Sequence, residues 1–386
     1  MQRFKVQERE NWQAQAESIG FKFHTIDNER YWDERYYYQF SASQIENHLE
    51  DPTKEIHEMC MEVASRAVKS DELLSKLDIP EGYWDQIEHS WKAGHPHLYG
   101  RMDFSYDGNS PAKLLELNYD TPTSLFEGSV MQWLWLEEMI KLGRVPANAD
   151  QFNSIHEKFM QVFASLDKLP SPLYFSSVKE SEEDRGTVDY IADIATACGI
   201  TTKWIGVEDI GLDPSGQFID LENNKIPALF KLYPWEHMFR ERFGPGIPFS
   251  DTLFIEPTWK SILSNKGILP ILWEMFPNHP NLLETHFLKD TQAAVGPGWV
   301  KKPFFSREGS NIEIQTLDGK NVKVDGPYTD SPHIIQKFHA LPKFGDSYTL
   351  IGSWVVGDEP AGIGIREDDS LITKDSSRFV PHIFVD

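Results

Sequence analysis

Two short segments in the first third of the chain carry side chains that could bind a metal ion. Residues 100–106 and 112–118 flank a turn rich in Asp, Gly, Asn and Pro, which predicts an antiparallel hairpin. Because strand side chains alternate between faces, one register places two carboxylates opposite each other and an arginine opposite an asparagine, all on one side. These four candidates are Arg101, Asp103, Glu116 and Asn118.

Directly opposed carboxylates repel, and a divalent cation would remove that conflict. An oxygen set from Asp103, Glu116 and Asn118 suits Mg²⁺ or Mn²⁺, and Arg101 beside it suggests that a phosphate is handled there. Other interpretations stay open, because many hairpins carry exposed acidic residues. A hydrolase of the glycosidase type would also use a carboxylate pair.

The loop after this hairpin could bind an anion. Asn118 leads into a hydroxyl-rich stretch, and a helix is predicted to begin at Ser124, with Glu127 completing a capping box. A strand, a polar loop and a helix N-terminus present backbone N–H groups to an anion. An ordinary strand-to-helix connection would have the same pattern.

A second candidate set lies late in the chain, around Lys302. The predicted strand 298–304 is followed by a loop with Gly and Ser, and the chain returns as a second strand at 312–315. Such a flap could lay the N–H groups of Glu308 and Gly309 over phosphates while Lys302 reaches in. Arg307 could close over the reacting groups. A plain hairpin with solvated basic residues fits the same pattern.

Two further polar residues stand out less. Lys266 follows a helical stretch and, from its neighbours alone, is predicted to be an ordinary surface lysine. Gln336 lies among apolar residues, so it needs a buried hydrogen-bond partner.

Composition excludes several classes of protein. The chain has 386 residues, a formal net charge of −23 and 13% aromatic residues, so it can build a large core but is unsuited to nonspecific binding of nucleic acid. No apolar run is long enough to span a membrane. With only Cys60 and Cys198, both predicted to be core residues, we expect no disulfide framework and a cytoplasmic location.

The pattern of elements predicts a mixed α/β fold. Residues 1–45 are expected to be an irregular entry segment, and 53–69 an amphipathic helix. Residues 125–140 are predicted to form an apolar helix that buries its tryptophans. Alternating strand and helix patterns over about 160–250 predict a small parallel unit. From 255 to about 288 the chain is expected to be helical, with interruptions at Pro270 and at 277–280, and then β-rich, with a last predicted strand at 371–374.

Several of these stretches together resemble one family. Arg101-Met-Asp-Phe104, Lys113-Leu-Leu-Glu-Leu-Asn-Tyr-Asp-Thr-Pro-Thr-Ser-Leu125, Lys302-Pro303 and Ser306-Arg-Glu-Gly-Ser-Asn-Ile312 are similar to the synthetase domain of glutathionylspermidine synthase. The resemblance covers essentially the whole chain. It is strongest to stand-alone bacterial relatives regarded as acid–amine ligases, without the N-terminal amidase, so hydrolysis of the product is not expected.

The resemblance implies an α/β fold of the circularly permuted ATP-grasp type with an inserted small parallel α/β unit. Residues 1–160 with 251–386 would form the ligase domain, and residues 161–250 the substrate-side unit. ATP would be the cofactor, with two Mg²⁺ ions or Mn²⁺.

The resemblance also implies roles for single residues. Asp103, Glu116 and Asn118 would bind the metal ions, and Arg101 and Arg307 would be catalytic. The remaining expected contacts are with ATP, from Arg101, Met102, Asp103, Lys266, Lys302, Gly309, Gln336 and Leu371, and near the substrate, from Thr121, Thr123, Glu183 and Arg366.

The activity implied is formation of an amide bond between a carboxylic acid and an amine through an acyl phosphate, with small-molecule partners and no nucleic acid or membrane. The chain departs from the family pattern at Lys231-Leu-Tyr-Pro-Trp-Glu236, where Lys-Thr-Trp is expected, so neither substrate is predicted. The alternatives are a nucleotide-binding protein with idle ATPase activity and a carboxylate-pair hydrolase.

Overall fold

A six-stranded antiparallel sheet forms the centre of the fold and contains the predicted hairpin. The computed structural model describes residues 1–26, 28–166, 168–291, 296–374 and 376–386. Ser347–Val356 and Glu359–Asp368 are joined by a tight turn at Gly357, where φ is 61° and glycine is favoured. In spatial order the sheet contains Arg378–Val380, Glu359–Asp368, Ser347–Val356, Tyr99–Ser105 and Lys113–Asn118, with Lys343–Phe344 paired to Ser347–Val356.

A five-stranded antiparallel sheet carries the predicted flap. Its central strand is Trp299–Pro303, and the spatial order is Thr285–Phe287, His333–Lys337, Trp299–Pro303, Glu313–Gln315 and Asn321–Lys323. The expectation of a helical stretch from 255 to about 288, interrupted at Pro270 and at 277–280, was wrong for its last residues, because Thr285–Phe287 pairs with His333–Lys337 in this sheet. The predicted strand at 371–374 was also wrong, since those residues form a bend and irregular chain.

A four-stranded parallel sheet confirms the predicted alternation of strand and helix in the middle of the chain. Its spatial order is Leu253–Ile255, Ala228–Lys231, Leu173–Ser177 and Thr202–Gly206, and the helix Glu182–Ala197 packs against it. All five residues of the strand Leu173–Ser177 are buried, as is typical of a central parallel strand.

The first 45 residues are more regular than expected. Gln2–Lys5, Tyr36–Ser41 and His382–Val385 form a three-stranded sheet, so the prediction of an irregular segment was wrong. His382 is buried there, where its Nε2 accepts the N–H of Phe152 (3.2 Å) and its Nδ1 donates to Oε1 of Gln132 (2.9 Å). Two-stranded ribbons pair Thr25–Ile26 with Glu29–Arg30 and Gly211–Leu212 with Phe218–Ile219.

Helices cover these sheets with their apolar faces. The α-helix Asp51–Ala67 buries the predicted stripe, including Ile56, Cys60 and Val63. None of the helices in the described part of the chain is long and apolar enough to cross a membrane. The other α-helices are Trp12–Ser18, Ala42–Ile45, Asp71–Lys76, Trp84–Lys92, Gln132–Lys141, Ile155–Ser165, Trp235–Met238 and Ile268–Met275. π-Helical turns span Glu46–Glu50 and Glu127–Met131, and 3₁₀ turns span Glu81–Tyr83, Val207–Asp209, Gly244–Phe249, Thr258–Ile262 and Leu288–Asp290.

The helix after Ser124 differs from the prediction in two ways. Ser124 has a positive φ of 70°, and its hydroxyl lies 3.1 Å from the hydroxyl of Tyr31, so the expected capping box is absent. The Glu127 carboxylate accepts a hydrogen bond from Tyr31 (2.6 Å). Trp135 is buried as expected, but Trp133 is 43% exposed, so its predicted burial was wrong.

Candidate active site

The hairpin register at the carboxylates is confirmed. Asp103 pairs with Glu116, and Arg101 with Asn118. One feature was not expected: the register shifts next to Asp103, so that Phe104 pairs with Leu114 and Leu115 is the extra residue of a β-bulge. The residue pairs from Arg101 to Asp103 are therefore as predicted, whereas the pairs between the bulge and the turn are offset by one residue.

Arg101 is held rigidly beside the carboxylate pair. Its Nε and Nη2 donate to the two oxygens of Asp103 at 2.7 and 3.1 Å, and its Nη1 donates to the carbonyl of Thr123 at 2.9 Å. A Cβ on Gly352 would lie 2.9 Å from Cδ of Arg101, so a glycine there leaves room for the arginine. A bidentate guanidinium in this position can also face a phosphate.

Two lysines approach the same carboxylates from the five-stranded sheet and its neighbouring loop. Lys266 is only 8% exposed, so the prediction from its neighbours of an ordinary surface lysine was wrong. Its Nζ lies 3.4 Å from Oε2 of Glu116 and donates to the carbonyl of Ser306. Nζ of Lys302 donates to the carbonyl of Leu115 and to Oε1 of Gln336, each at 2.8 Å. Gln336 thus has the buried partner that its sequence context required.

Burial and charge act against each other at this cluster. Burial lowers the pKa of Lys302 to about 8, although the charge of Glu116 acts in the opposite direction. Burial also disfavours ionisation of Glu116, but Lys266, Lys302 and Arg101 outweigh it and hold the Glu116 pKa below its ordinary value. The carboxylate is therefore ionised, and three basic side chains lie around the two carboxylates Asp103 and Glu116.

The predicted flap lies between the paired strands Trp299–Pro303 and Glu313–Gln315. Gly309 has a φ of 71°, and a Cβ there would lie 2.4 Å from Cγ2 of Ile372 and 2.7 Å from the carbonyl oxygen of Thr373, so only glycine fits. Arg307 donates to Oε1 of Glu236 at 2.5 Å. Burial works against ionisation of Glu236, yet Arg307 keeps the pKa of Glu236 below its ordinary value. The flap arginine is therefore held by an anion of the protein itself.

Two adjoining cavities meet at the carboxylate pair. The larger, of about 340 Å³, contains the polar side chains, and the smaller, of about 80 Å³, is a narrow slot lined by apolar residues such as Val300 and Ile314. Both are lined by Asp103, Glu116 and Gly309. A molecule with a flat apolar end and an anionic tail could lie in the slot with its tail at these carboxylates.

The structure brings most of the predicted residues to these two cavities. The polar cavity is lined by Arg101, Asp103, Glu116, Asn118, Thr121, Thr123, Lys266, Arg307, Gly309 and Arg366. The slot is lined by Asp103, Glu116, Lys302, Gly309, Gln336 and Leu371. The side chain of Met102 is buried and lines neither cavity. Glu183 lies in the first turn of the helix Glu182–Ala197, and its charge acts on Glu127 and Tyr31.

Two buried acidic residues close to the cavity-lining residues were not predicted to belong to the site, and neither of them lines a cavity. Asp120 binds Nζ of Lys231 and the backbone N–H of Trp235 (2.8 Å), which fixes the divergent stretch against the loop after the hairpin. Glu127 is buried, and burial, reinforced by the charge of Glu183, raises the pKa of Glu127 to about 7. In the sequence, the feature that could have indicated a special role for Glu127 is the position of this acidic residue inside a predicted apolar helix.

The residues at the junction fit a divalent cation with few protein ligands. Within the described residues, no group of three or more His, Cys, Asp and Glu side chains is arranged to hold a metal. Asp103 and Glu116 nevertheless supply two opposed carboxylates, and Mg²⁺ commonly uses one or two carboxylates together with substrate phosphates. Oδ1 of Asn118 accepts hydrogen bonds from the N–H groups of Asp120 (3.1 Å) and Thr121 (3.0 Å). As a metal ligand, this oxygen would have to be shared between the cation and these two N–H groups.

Comparison with known proteins gives consistent matches over nearly the whole chain. Residues 3–385 match the family model described as glutathionylspermidine synthase preATP-grasp. A Haemophilus influenzae protein named "Putative acid--amine ligase" is 39% identical over 381 residues, covering 95% of each chain.

Longer relatives match less closely. Trypanothione synthetase of Crithidia fasciculata is 28% identical over 351 residues, covering 84% of this chain and 53% of that protein. The bifunctional glutathionylspermidine synthetase/amidase of Escherichia coli is 28% identical over 382 residues, covering 91% of this chain and 60% of that protein. Among solved structures, a glutathione synthetase like-effector from Globodera pallida in apoform shares the fold, with a TM-score of 0.54 at 10% identity, over 99% of this chain and 100% of that one.

Proposed function

Because this chain belongs to the glutathionylspermidine synthase family, we propose that it is an ATP-dependent ligase that joins a carboxylic acid to an amine. The observation that supports this most directly is the junction of the two cavities at Asp103 and Glu116, with Arg101, Lys266 and Lys302 around it. The apolar slot would take the adenine, and the triphosphate would extend towards the polar cavity.

The proposed reaction has two steps. A substrate carboxylate oxygen attacks the γ-phosphorus of ATP, so that a C(O)O–P bond forms, the bond to the leaving phosphate oxygen breaks, and ADP departs. The amine nitrogen then attacks the acyl carbon, and inorganic phosphate leaves while the nitrogen gives up a proton. Arg101 would face the phosphoryl group in transfer, where its charge is most effective.

The cofactor chemistry follows from the same cluster. Two Mg²⁺ ions, or Mn²⁺ in their place, would be held by Asp103, Glu116 and Asn118 and would neutralise phosphate charge. Lys266 and Lys302 now lie against these acidic side chains or neighbouring carbonyls and would turn towards the phosphates. Arg307, with Gly309 at the tip of the flap, would exclude water from the acyl phosphate.

The acid would bind at the far end of the polar cavity, near Thr121, Thr123 and Arg366, with Glu183 close by. Arg366 donates to the carbonyl of Lys374 at 2.9 Å, which orients its guanidinium. A cation there suits a carboxylate. The divergent stretch from Lys231 to Glu236 contributes Tyr233 to the same cavity, so we propose that it selects the substrate.

We also propose that the fold is a circularly permuted ATP-grasp. Residues 1–160 with 251–386 would form the ligase domain, and 161–250 an inserted unit. The strand Tyr99–Ser105 lies between Lys113–Asn118 and Ser347–Val356, so early and late parts of the chain share one sheet. The fourth strand of the parallel sheet, Leu253–Ile255, lies just beyond the expected boundary at 250.

The test is a screen of acids and amines for amine-dependent release of ADP, with mass-spectrometric detection of the amide. Glu116→Gln should lower this turnover by about 10²–10³ while leaving the fold intact, the scale for loss of one electrostatic group. Glu58→Gln, on an exposed helix face, is the matched control and should keep wild-type turnover. Phosphate release that ignores every amine would instead favour idle ATPase activity, and unchanged turnover in Glu116→Gln would refute the metal assignment.

A further inference from the structure

A chain of hydroxyl groups connects the polar cavity to a buried carboxyl group. Ser124 lines the polar cavity, and its Oγ lies 3.1 Å from the hydroxyl of Tyr31, which donates to Oε1 of Glu127 at 2.6 Å. Because the proton of Tyr31 is used at Glu127, the Ser124 hydroxyl donates to Tyr31 and keeps its own lone pairs for a donor in the cavity. All three residues are at most 2% exposed, so Glu127 exchanges protons with the cavity through these hydroxyls.

Glu127 differs from the other buried acidic residues in having no basic partner. In the described part of the chain, no Lys, Arg or His nitrogen lies within 4.0 Å of its carboxylate. The acidic residues with no exposed surface each form such an ion pair, namely Asp33, Glu34, Asp120, Glu256 and Glu367. A glutamine in place of Glu127 would accept from Tyr31 equally well without the cost of burying a charge. An ionisable group at this position is therefore suited to a role in proton exchange.

The surroundings of Glu127 bring its pKa close to neutrality. Burial and the charge of Glu183 raise the pKa of Glu127 to about 7, against the hydrogen bond from Tyr31, the backbone of Glu127 itself and the charge of Arg366. These groups come from the N-terminal segment, from the helix Glu182–Ala197 and from the strand Glu359–Asp368. A general base is most effective when its pKa lies near the working pH.

The cavity end of this hydroxyl chain lies beside the proposed site of phosphoryl transfer. The carbonyl of Thr123, the residue before Ser124, accepts a hydrogen bond from Nη1 of Arg101 at 2.9 Å. Ser124 itself has a φ of 70°, and non-glycine residues in this conformation occur preferentially at functional sites. The guanidinium carbon of Arg366 lies 5.6 Å from the ring centroid of Tyr31. The hydroxyl chain therefore runs close to both arginines that are proposed to hold the reacting groups.

We propose that Ser124, Tyr31 and Glu127 form a relay that removes the proton of the amine during amide formation. This inference rests on the proposed ligase function and adds the destination of the proton in its second step. When the amine nitrogen attacks the acyl carbon, a C–N bond forms and the nitrogen becomes positively charged. Its proton passes to Oγ of Ser124, while the Ser124 proton moves to Tyr31 and the Tyr31 proton to Glu127. The C–O bond to the phosphate then breaks, inorganic phosphate leaves, and Glu127 returns the proton by the same path after the product departs.

The first test needs no substrate. Infrared difference spectra of the full-length protein, recorded from about pH 5 to 9, report the protonation of buried carboxyl groups. We expect a carboxyl band that titrates near pH 7 in the wild type and is missing in Glu127→Gln. Tyr31→Phe should move this titration to higher pH, because it removes a hydrogen bond that favours the carboxylate. If Glu127→Gln removes no band that titrates in this range, the relay has no proton acceptor and the proposal is overturned.

The second test follows the two steps separately, with an acid and an amine identified by the screen described above. Glu127→Gln and Tyr31→Phe should each lower the rate of amide formation by about 10²–10⁴, the range for general base catalysis. The double variant should be no slower than the slower single variant, since both substitutions interrupt one chain. The wild-type rate should rise with pH through about 7, and Glu127→Gln should lose this dependence. Acid-dependent formation of ADP in a single turnover without amine should be unchanged, because the first step transfers no proton.

Tyr190→Phe is the matched control and should keep both rates. It removes a buried tyrosine hydroxyl that pairs with Ser129 on the π-helical turn Glu127–Met131 and has no carboxyl partner among the described residues. Thermal unfolding checks that each variant folds. Undiminished amide formation in Glu127→Gln, or an equal loss of ADP formation there, would overturn the relay while leaving the ligase function in place. A wild type that forms no amide with any pair would refute the ligase function, and the relay with it.

Discussion

Lys302 should make the affinity for ATP depend on pH. Its pKa of about 8 follows from burial, and Nζ already donates to two neutral oxygens, those of Leu115 and Gln336. A lysine with this pKa is about nine-tenths protonated at about pH 7 and about one-tenth protonated at about pH 9. Only the protonated form offers a charge to a phosphate, so affinity should fall as the pH rises.

The size of the effect follows from linkage. If bound phosphate keeps Lys302 protonated throughout this range, the dissociation constant of an ATP analogue rises by about tenfold between about pH 7 and 9, or about 1.4 kcal/mol. Lys302→Met should bind more weakly at the lower pH and lose this dependence. Lys301→Met, one position earlier on the same strand and therefore on the opposite face, is the matched control and should keep it.

The measurement is isothermal titration calorimetry with a non-hydrolysable ATP analogue, excess Mg²⁺ and constant ionic strength. The reasoning would be refuted if Lys302→Met kept the wild-type pH dependence, because the titrating group would then lie elsewhere. It would also be refuted if Lys301→Met lost it.

Four further outcomes are expected. Arg101→Ala should lower kcat for ADP release by about 10²–10³ with a smaller change in ATP affinity, measured by steady-state kinetics and calorimetry; lost binding with normal residual turnover would contradict this. Glu236→Gln should release Arg307 from its ion pair, so that without nucleotide trypsin cuts after Arg307 faster in the variant than in the wild type. ATP analogue with Mg²⁺ should slow this cleavage. Equal cleavage rates with and without nucleotide would mean that this loop is not the lid. Gly309→Ala should weaken analogue binding by at least about tenfold, since a left-handed backbone alone costs about 1–2 kcal/mol with a Cβ and that Cβ would also displace the flap from Ile372 and Thr373; unchanged calorimetry would argue against a flap contact. Burial lowers the pKa of His382 to about 3, so below about pH 6.5 the unfolded chain binds a proton that the folded chain does not. The free energy of unfolding, measured with urea, should therefore decrease by up to about 1.4 kcal/mol for each pH unit below about 6.5. His382→Gln should make this slope shallower, and an identical slope in the variant would refute the assignment.

The hairpin was predictable because its information is local. Alternation and a turn fix which side chains share a face, and the register of Asp103 and Glu116 follows from two short segments. The bulge at Leu115 was not predicted, although the two consecutive leucines at 114 and 115 interrupt the alternation of apolar and polar residues in this strand. Its stabilising contact comes from Lys302, which is far away in the chain.

Residues whose role depends on distant partners could not be predicted from their own sequence neighbours, and only the family resemblance indicated them. Lys266 has an unremarkable local sequence, and only the fold brings it to Glu116 and Ser306. The pairing of Arg307 with Glu236 joins two segments that the sequence gives no reason to associate. The strands near the N-terminus were missed for the same reason, because Tyr36–Ser41 pairs both with Gln2–Lys5 and with the last residues of the chain, His382–Val385.

The bulge at Leu115 makes an unusual evolutionary event feasible. Deleting one residue inside a strand normally turns every later side chain to the wrong face. Here, deletion of Leu115 would leave Leu114 opposite Phe104 and Glu116 opposite Asp103, so the acidic pair would keep its place while the carbonyl that receives Lys302 disappeared. A single insertion or deletion could therefore add or remove the carbonyl that accepts the hydrogen bond of Lys302, without changing the register of the strand pair that carries Asp103 and Glu116.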